Sequence, residues 1–134
     1  MIQYREGYKY QLAYTAVFKT RIRPSVDIIT EFIRLYMDGT LILMSGYAWD
    51  GASGPTIDTK TSMRGALIHD AFYQLMRQGH LSLEFRQDVD DEFLRYLLLD
   101  GMWSVRANLW HRSVHRWAAS AANPKHRKKI LRAP

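Results

Sequence analysis

Apolar and polar positions change their period about a third of the way along the chain. Up to Tyr47 the pattern is short-range. Tyr8 to Thr20 is aromatic and β-branched with partial alternation, and Val26 to Met37 sets Asp27, Glu31 and Arg34 between apolar residues. Both runs predict strands. Asp38-Gly39 then separates the second run from a third, Thr40 to Tyr47. An Asp-Gly pair between apolar runs is a strong hairpin signal, and the tightest such turn needs positive φ at both positions. Pro24 divides the first strand from this hairpin.

Trp49 to Thr59 (WDGASGPTIDT) has neither period and carries Gly51, Gly54 and Pro55, which predicts a loop. Beyond it the spacing becomes helical. A first helix begins at Thr59 or Thr61, either of which offers a capping hydroxyl, and stops at Gly79. A second starts after Ser82, carries Glu84 in its first turn and ends before Gly101. Its apolar stripe is Val89, Phe93 and Leu97, with Leu94 and Leu98 beside it. A third runs from Trp103 to Ala122, ahead of Asn123-Pro124. The expected fold is α+β, with N-terminal antiparallel β-hairpins packed on a C-terminal bundle of three helices. Residues 1–122 form one domain and residues 123–134 a basic C-terminal tail.

Composition narrows the class. At 134 residues with 47% hydrophobic side chains the chain can bury a core without cross-links, and it has no cysteine to make any. Thiolate metal sites and cysteine nucleophiles are thereby excluded. Met1 to Gly7 has no apolar core, so no signal peptide is expected. No apolar run approaches the roughly 18 residues of a transmembrane helix. The net charge of +6 is unevenly placed: no acidic residue follows Asp100, and eight basic ones do. The first hundred residues hold eleven basic against thirteen acidic side chains. Lys125, Arg127, Lys128 and Lys129 make the tail a candidate anion-binding segment, for an anionic lipid surface or an acidic protein. The plainer alternative is a solvated basic surface. No motif for sequence-specific nucleic-acid readout is present.

The candidate chemistry lies in the two central helices. His69 and Tyr73 are four apart on one face, with Asp70 between them; Arg86 and Asp90 repeat the spacing on the next helix. Antiparallel packing would join the two groups, walled by Ala71, Phe72, Leu75 and Phe93. A histidine acting as base needs a carboxylate to fix its tautomer and steady its cation, and Asp90 suits that role. Asp70, with Asp50 and carbonyls of the loop, suits a hard cation such as calcium. The same residues equally compose a buried polar network that locks two helices together. His111 and His115 have a zinc-like spacing, but no glutamate follows His111 and no third ligand is evident. Trp103, Trp110 and Trp117 recur every seven residues, which predicts a core-facing stripe.

Several of these segments together resemble a phage and prophage family catalogued as domain of unknown function family 1353. The resemblance rests on Gly46-Tyr47, Trp49-Asp50-Gly51-Ala52-Ser53-Gly54-Pro55, the run Ala66-Leu67-Ile68-His69-Asp70-Ala71-Phe72-Tyr73, then Arg86, Asp90 and Phe93, and Arg106 onward. It implies a bacteriophage or prophage protein, located in the host cytoplasm or the virion. A remoter likeness is to the core of bacterial-type phospholipase A2, through Asp50-Gly51-Ala52-Ser53, His69-Asp70, Tyr73, Arg86 and Asp90-x-x-Phe93. That likeness implies His69 as the base, Asp90 as its orienting carboxylate and Tyr73 as hydrogen-bond partner. It also implies Asp70 as a calcium ligand with loop oxygens at Asp50, and Trp49, Gly51 and Arg86 in support.

Two functional expectations follow. One is a phage-encoded hydrolase-like protein with a calcium-dependent, phospholipase-like site acting at the cell envelope. The other is a non-enzymatic virion or accessory protein, or an inhibitor of host defence, using the cluster as a lock and the tail for docking.

Overall fold

The structure is a computed structural model, and it describes residues 2–4, 10–49, 61–117 and 131–133. The four-stranded antiparallel sheet has the order β3-β6-β5-β4, from β3 (Ala16–Lys19), β4 (Ile28–Ile29), β5 (Ile33–Leu35) and β6 (Thr40–Leu43). Two further antiparallel ladders join β2 (Tyr10–Gln11) to β7 (Ala48–Trp49), and β1 (Ile2–Tyr4) to β8 (Leu131–Ala133). Strand β8 lies within the segment expected as a tail. Three helices follow the sheet: α1 (Met63–Arg77), α2 (Arg86–Leu99) and α3 (Ser104–Trp117). The α+β arrangement of hairpin strands and three C-terminal helices is the one expected.

Alternation sets the sheet's faces. Ile33 and Leu35 on β5 pair with Leu43 and Leu41 on β6, and all four are wholly buried. Val17 and Ile29 point outward and are exposed. The two long strands expected at the N-terminal side are each interrupted. Residues 12–15 separate β2 from β3, and Thr30 turns the chain between β4 and β5 by accepting from Ile33 N–H and donating to its carbonyl.

The Asp38-Gly39 turn closes the β5–β6 hairpin, but only Gly39 has positive φ (+90°). Asp38 keeps negative φ and instead accepts from Thr40 N–H through its side chain, an Asx-type turn. Glycine is required at 39 for a second reason: a Cβ there would lie 2.1 Å from the carbonyl oxygen of Thr20. Thr20 in turn donates both N–H and hydroxyl to the Gly39 carbonyl.

Helix α2 joins the sheet to the bundle. Tyr96 OH and Arg95 both donate to the carbonyl of Lys19 at the end of β3, and Phe18 meets the Tyr96 ring edge-on. Arg64 and Arg95 lie over the Tyr96 ring at 4.8 and 4.7 Å. Helix α1 begins after Ser62, which makes no side-chain cap, rather than at a threonine. Ser82 does cap, accepting from Glu84 N–H, but it opens a short 3-10 turn (Leu83–Phe85) that leads into α2. Gly79 and Gly101 end α1 and α2 with positive φ. Val89, Phe93 and Leu97 are buried as the stripe predicts, while Leu98 is exposed. Trp110 is buried but Trp103 is 85% exposed, so the seven-residue spacing does not place Trp103 in the core; Trp103 precedes the first turn of α3 and is free of its packing face. No helix among the described residues is long and apolar enough to cross a membrane.

Candidate functional site

Helices α1 and α2 pack closely because Gly65 has no side chain. A Cβ at 65 would sit 3.3 Å from both Phe93 and Leu97. One turn further along α1 His69 meets Asp90, one turn back along α2, so the two helices run antiparallel. His69 shares its face with Gly65 and Tyr73 at helical spacing. Close approach at Gly65 is therefore what brings the two polar groups within reach. Ala71, Phe72, Leu75 and Phe93 are buried around them.

The centre of the site is the Asp90 carboxylate, which has no exposed surface. Its Oδ1 lies 2.8 Å from His69 Nε2 and accepts from Tyr73 OH at 2.6 Å. Its Oδ2 lies 2.8 Å from Nδ1 of His115, on α3. The His69 ring stacks on Tyr73 with centroids 4.2 Å apart and tilts against Phe93 at 5.1 Å. Arg86 donates to the backbone carbonyl of His115 and sits against the Tyr73 hydroxyl.

Electrostatics follow from this geometry. Burial alone pushes the Asp90 carboxyl up. The hydrogen bonds from His69 and Tyr73, the charge of His69 and the bond from His115 outweigh it, and the carboxyl is held below its ordinary value. Asp90 is therefore an anion near neutrality. An anionic carboxylate only accepts, so His69 Nε2 and His115 Nδ1 both donate. In neutral His69 the lone pair is then on Nδ1. The Tyr73 hydroxyl is pushed well up, first by burial and then by its bond to Asp90 and that group's charge, with Arg86 opposing. Tyr73 thus stays protonated and acts as a donor.

Of the expected site residues, His69, Tyr73, Asp90 and Arg86 are brought together. Trp49 is buried at the end of β7, its ring parallel to Tyr47 at 6.4 Å. Asp70 is half-buried on α1 beside His69. Asp50 and Gly51, and the anion-binding candidates Lys125, Arg127, Lys128 and Lys129, lie outside the described residues. Asp70 offers a hard oxygen donor of the kind calcium takes. Among the described residues, however, no three histidine, aspartate or glutamate side chains are grouped to hold a metal. They do not by themselves compose a calcium site.

Sequence spacing alone does not mark His115 as a partner of Asp90. The signal was present but divided between helices. Asp90 and Asp91 are adjacent on α2, and His111 and His115 are one turn apart on α3; the structure pairs His111 Nε2 with Asp91 at 2.9 Å and His115 with Asp90. Each imidazole of the zinc-like pair thus answers its own carboxylate. No family model, curated protein or solved structure matches the chain.

Proposed function

We propose that the protein is a small hydrolase of phage or prophage origin, cleaving a lipid or other ester at the cell envelope with His69 as general base. The observation that carries this reading is the Asp90 carboxylate bonded to His69 Nε2 and to Tyr73. That bond leaves Nδ1 as the basic nitrogen and places an anion against the imidazolium that forms. His69 would take a proton from the attacking water and return it to the leaving alkoxide. Tyr73 cannot compete as a proton donor, since burial and then its bond to the same carboxylate hold its hydroxyl protonated. A calcium ion held by Asp70 and the loop around Asp50 would polarise the ester carbonyl.

A second reading is favoured by a separate observation: His69 is only 3% exposed, Tyr73 1% and Asp90 not at all. A cluster so enclosed also suits a structural lock in a non-enzymatic virion or accessory protein. One experiment separates the two. Hydrolysis of a short-chain phospholipid is measured with and without millimolar calcium, for the wild type and His69→Gln. The hydrolase reading expects turnover that His69→Gln abolishes. Absent wild-type turnover, with His69→Gln lowering the melting temperature, would leave the lock.

A further inference from the structure

Asp90 has two carboxylate oxygens, and the proposed reaction uses only Oδ1. The torsion that orients a carboxylate is soft. A carboxylate held at one oxygen can swing; one held at both is fixed in plane. His115 supplies the second hold, through Nδ1 on Oδ2 at 2.8 Å. It is itself well anchored. Its backbone carbonyl accepts from Arg86, and Trp110 and Val114 bury the adjoining face of α3. One turn earlier His111 ties α3 to Asp91. His115 is also the open end of the network, with 42% of its side chain exposed, whereas Asp90 is sealed.

We propose that His115 is a positioning residue: by holding Oδ2 it keeps Oδ1 aimed at His69 Nε2, and so fixes the tautomer and tilt of the base. The activity consequence rests on the hydrolytic reading above; the orientation of His69 does not. Without the Nδ1–H, the fully buried Oδ2 would lose its donor, and rotation of the carboxylate would bring it into competition for the His69 and Tyr73 donors that now serve Oδ1 alone.

The test compares two variants that separate packing from hydrogen bonding. His115→Phe keeps the ring but has no donor. His115→Asn loses the ring but offers an amide N–H two bonds from Cβ, where the imidazole Nδ1 stands. The first readout is the proton on His69 Nε2, followed by NMR as a slowly exchanging imidazole resonance. The second is kcat and KM on a short-chain ester. Positioning expects the resonance in the wild type and His115→Asn and its loss in His115→Phe. It also expects kcat to fall about ten- to hundredfold in His115→Phe at unchanged KM, the range found when a hydrogen-bond partner that orients a metal-ligating histidine is removed. The reverse order, with His115→Phe like the wild type and His115→Asn impaired, would overturn the proposal in favour of packing. So would equal loss in both variants. Absence of wild-type hydrolysis would refute the catalytic reading alone, because the imidazole resonance still reports on positioning.

Discussion

Removing the Asp90 carboxylate is the sharpest perturbation of this fold. In Asp90→Ala, His69 and Tyr73 each lose their acceptor while 3% and 1% exposed, so neither gains solvent in exchange. An orphaned buried polar group costs roughly 1–3 kcal/mol. His115 is half-exposed and finds water, so it adds little. Removing the carboxylate also relieves its own burial, which offsets part of the loss. The net expectation is about 2–4 kcal/mol. For a chain of 134 residues that is a fall in Tm of roughly 10 °C. Urea denaturation at pH 7, read by tryptophan fluorescence and by far-UV circular dichroism, measures it directly. Tyr73→Phe removes one hydroxyl and leaves Asp90 its two histidines, so it should cost less, about 1 kcal/mol. A loss below about 1 kcal/mol in Asp90→Ala, with an unchanged m-value, would refute the claim that these hydrogen bonds are buried and made.

The same carboxylate sets an acid limit. Its pKa is depressed in the folded state, so its contribution is present above the ordinary carboxylate value and is lost as pH falls through the folded one; wild-type Tm should drop more steeply than that of Asp90→Asn as pH falls below about 4, and parallel curves would contradict this. Gly39→Ala should destabilise by more than about 2 kcal/mol, since it combines positive φ with a Cβ 2.1 Å from the Thr20 oxygen, while Gly79→Ala, with open space around it, should cost about 1–2 kcal/mol from backbone strain alone. Equal losses at the two glycines in chemical denaturation would show that contact at 39 is not felt. Calorimetric titration of calcium should give a Kd of roughly 0.1–1 mM, with stabilisation of about 1.4 kcal/mol at ten times Kd, and both should be much reduced in Asp70→Asn; no heat up to 10 times the expected upper Kd (about 10 mM) would remove calcium from the proposal.

How much of this could be read from the sequence differs by element. The three helices and the C-terminal ends of α1 and α2 were legible because periodicity and glycine are local: Gly79 and Gly101 stand where α1 and α2 stop, while the expected end of the third helix at Ala122 lies outside the described residues. The His69–Tyr73 and Arg86–Asp90 spacings likewise announced one face each, and the turn between them is short enough to enforce antiparallel packing. Strand lengths were not legible, since Thr30 breaks β4 from β5 through a hydrogen bond to Ile33 that no apolar pattern reveals. Trp103 misled because a seven-residue spacing has no meaning outside the helix that carries it. His115 was hidden for another reason. Its partner lies 25 residues away on a different helix, and only the crossing of α2 and α3 decides which imidazole meets which carboxylate.

Helix α2 carries a consequence for how the molecule opens. Asp90 is held by side chains of α1 and of α3, while Tyr96 and Arg95, less than two turns later on the same helix, hold the end of β3. No helix of the bundle can leave without breaking a bond to that one segment. Fraying of one helix while the rest persists therefore leaves the buried Asp90 carboxylate or the Lys19 carbonyl short of a donor. Amide protons of α1, α2 and α3 should exchange with deuterium at a common slowest rate that tracks the global stability, and the molecule should behave as a single cooperative unit from the hairpin to Val114.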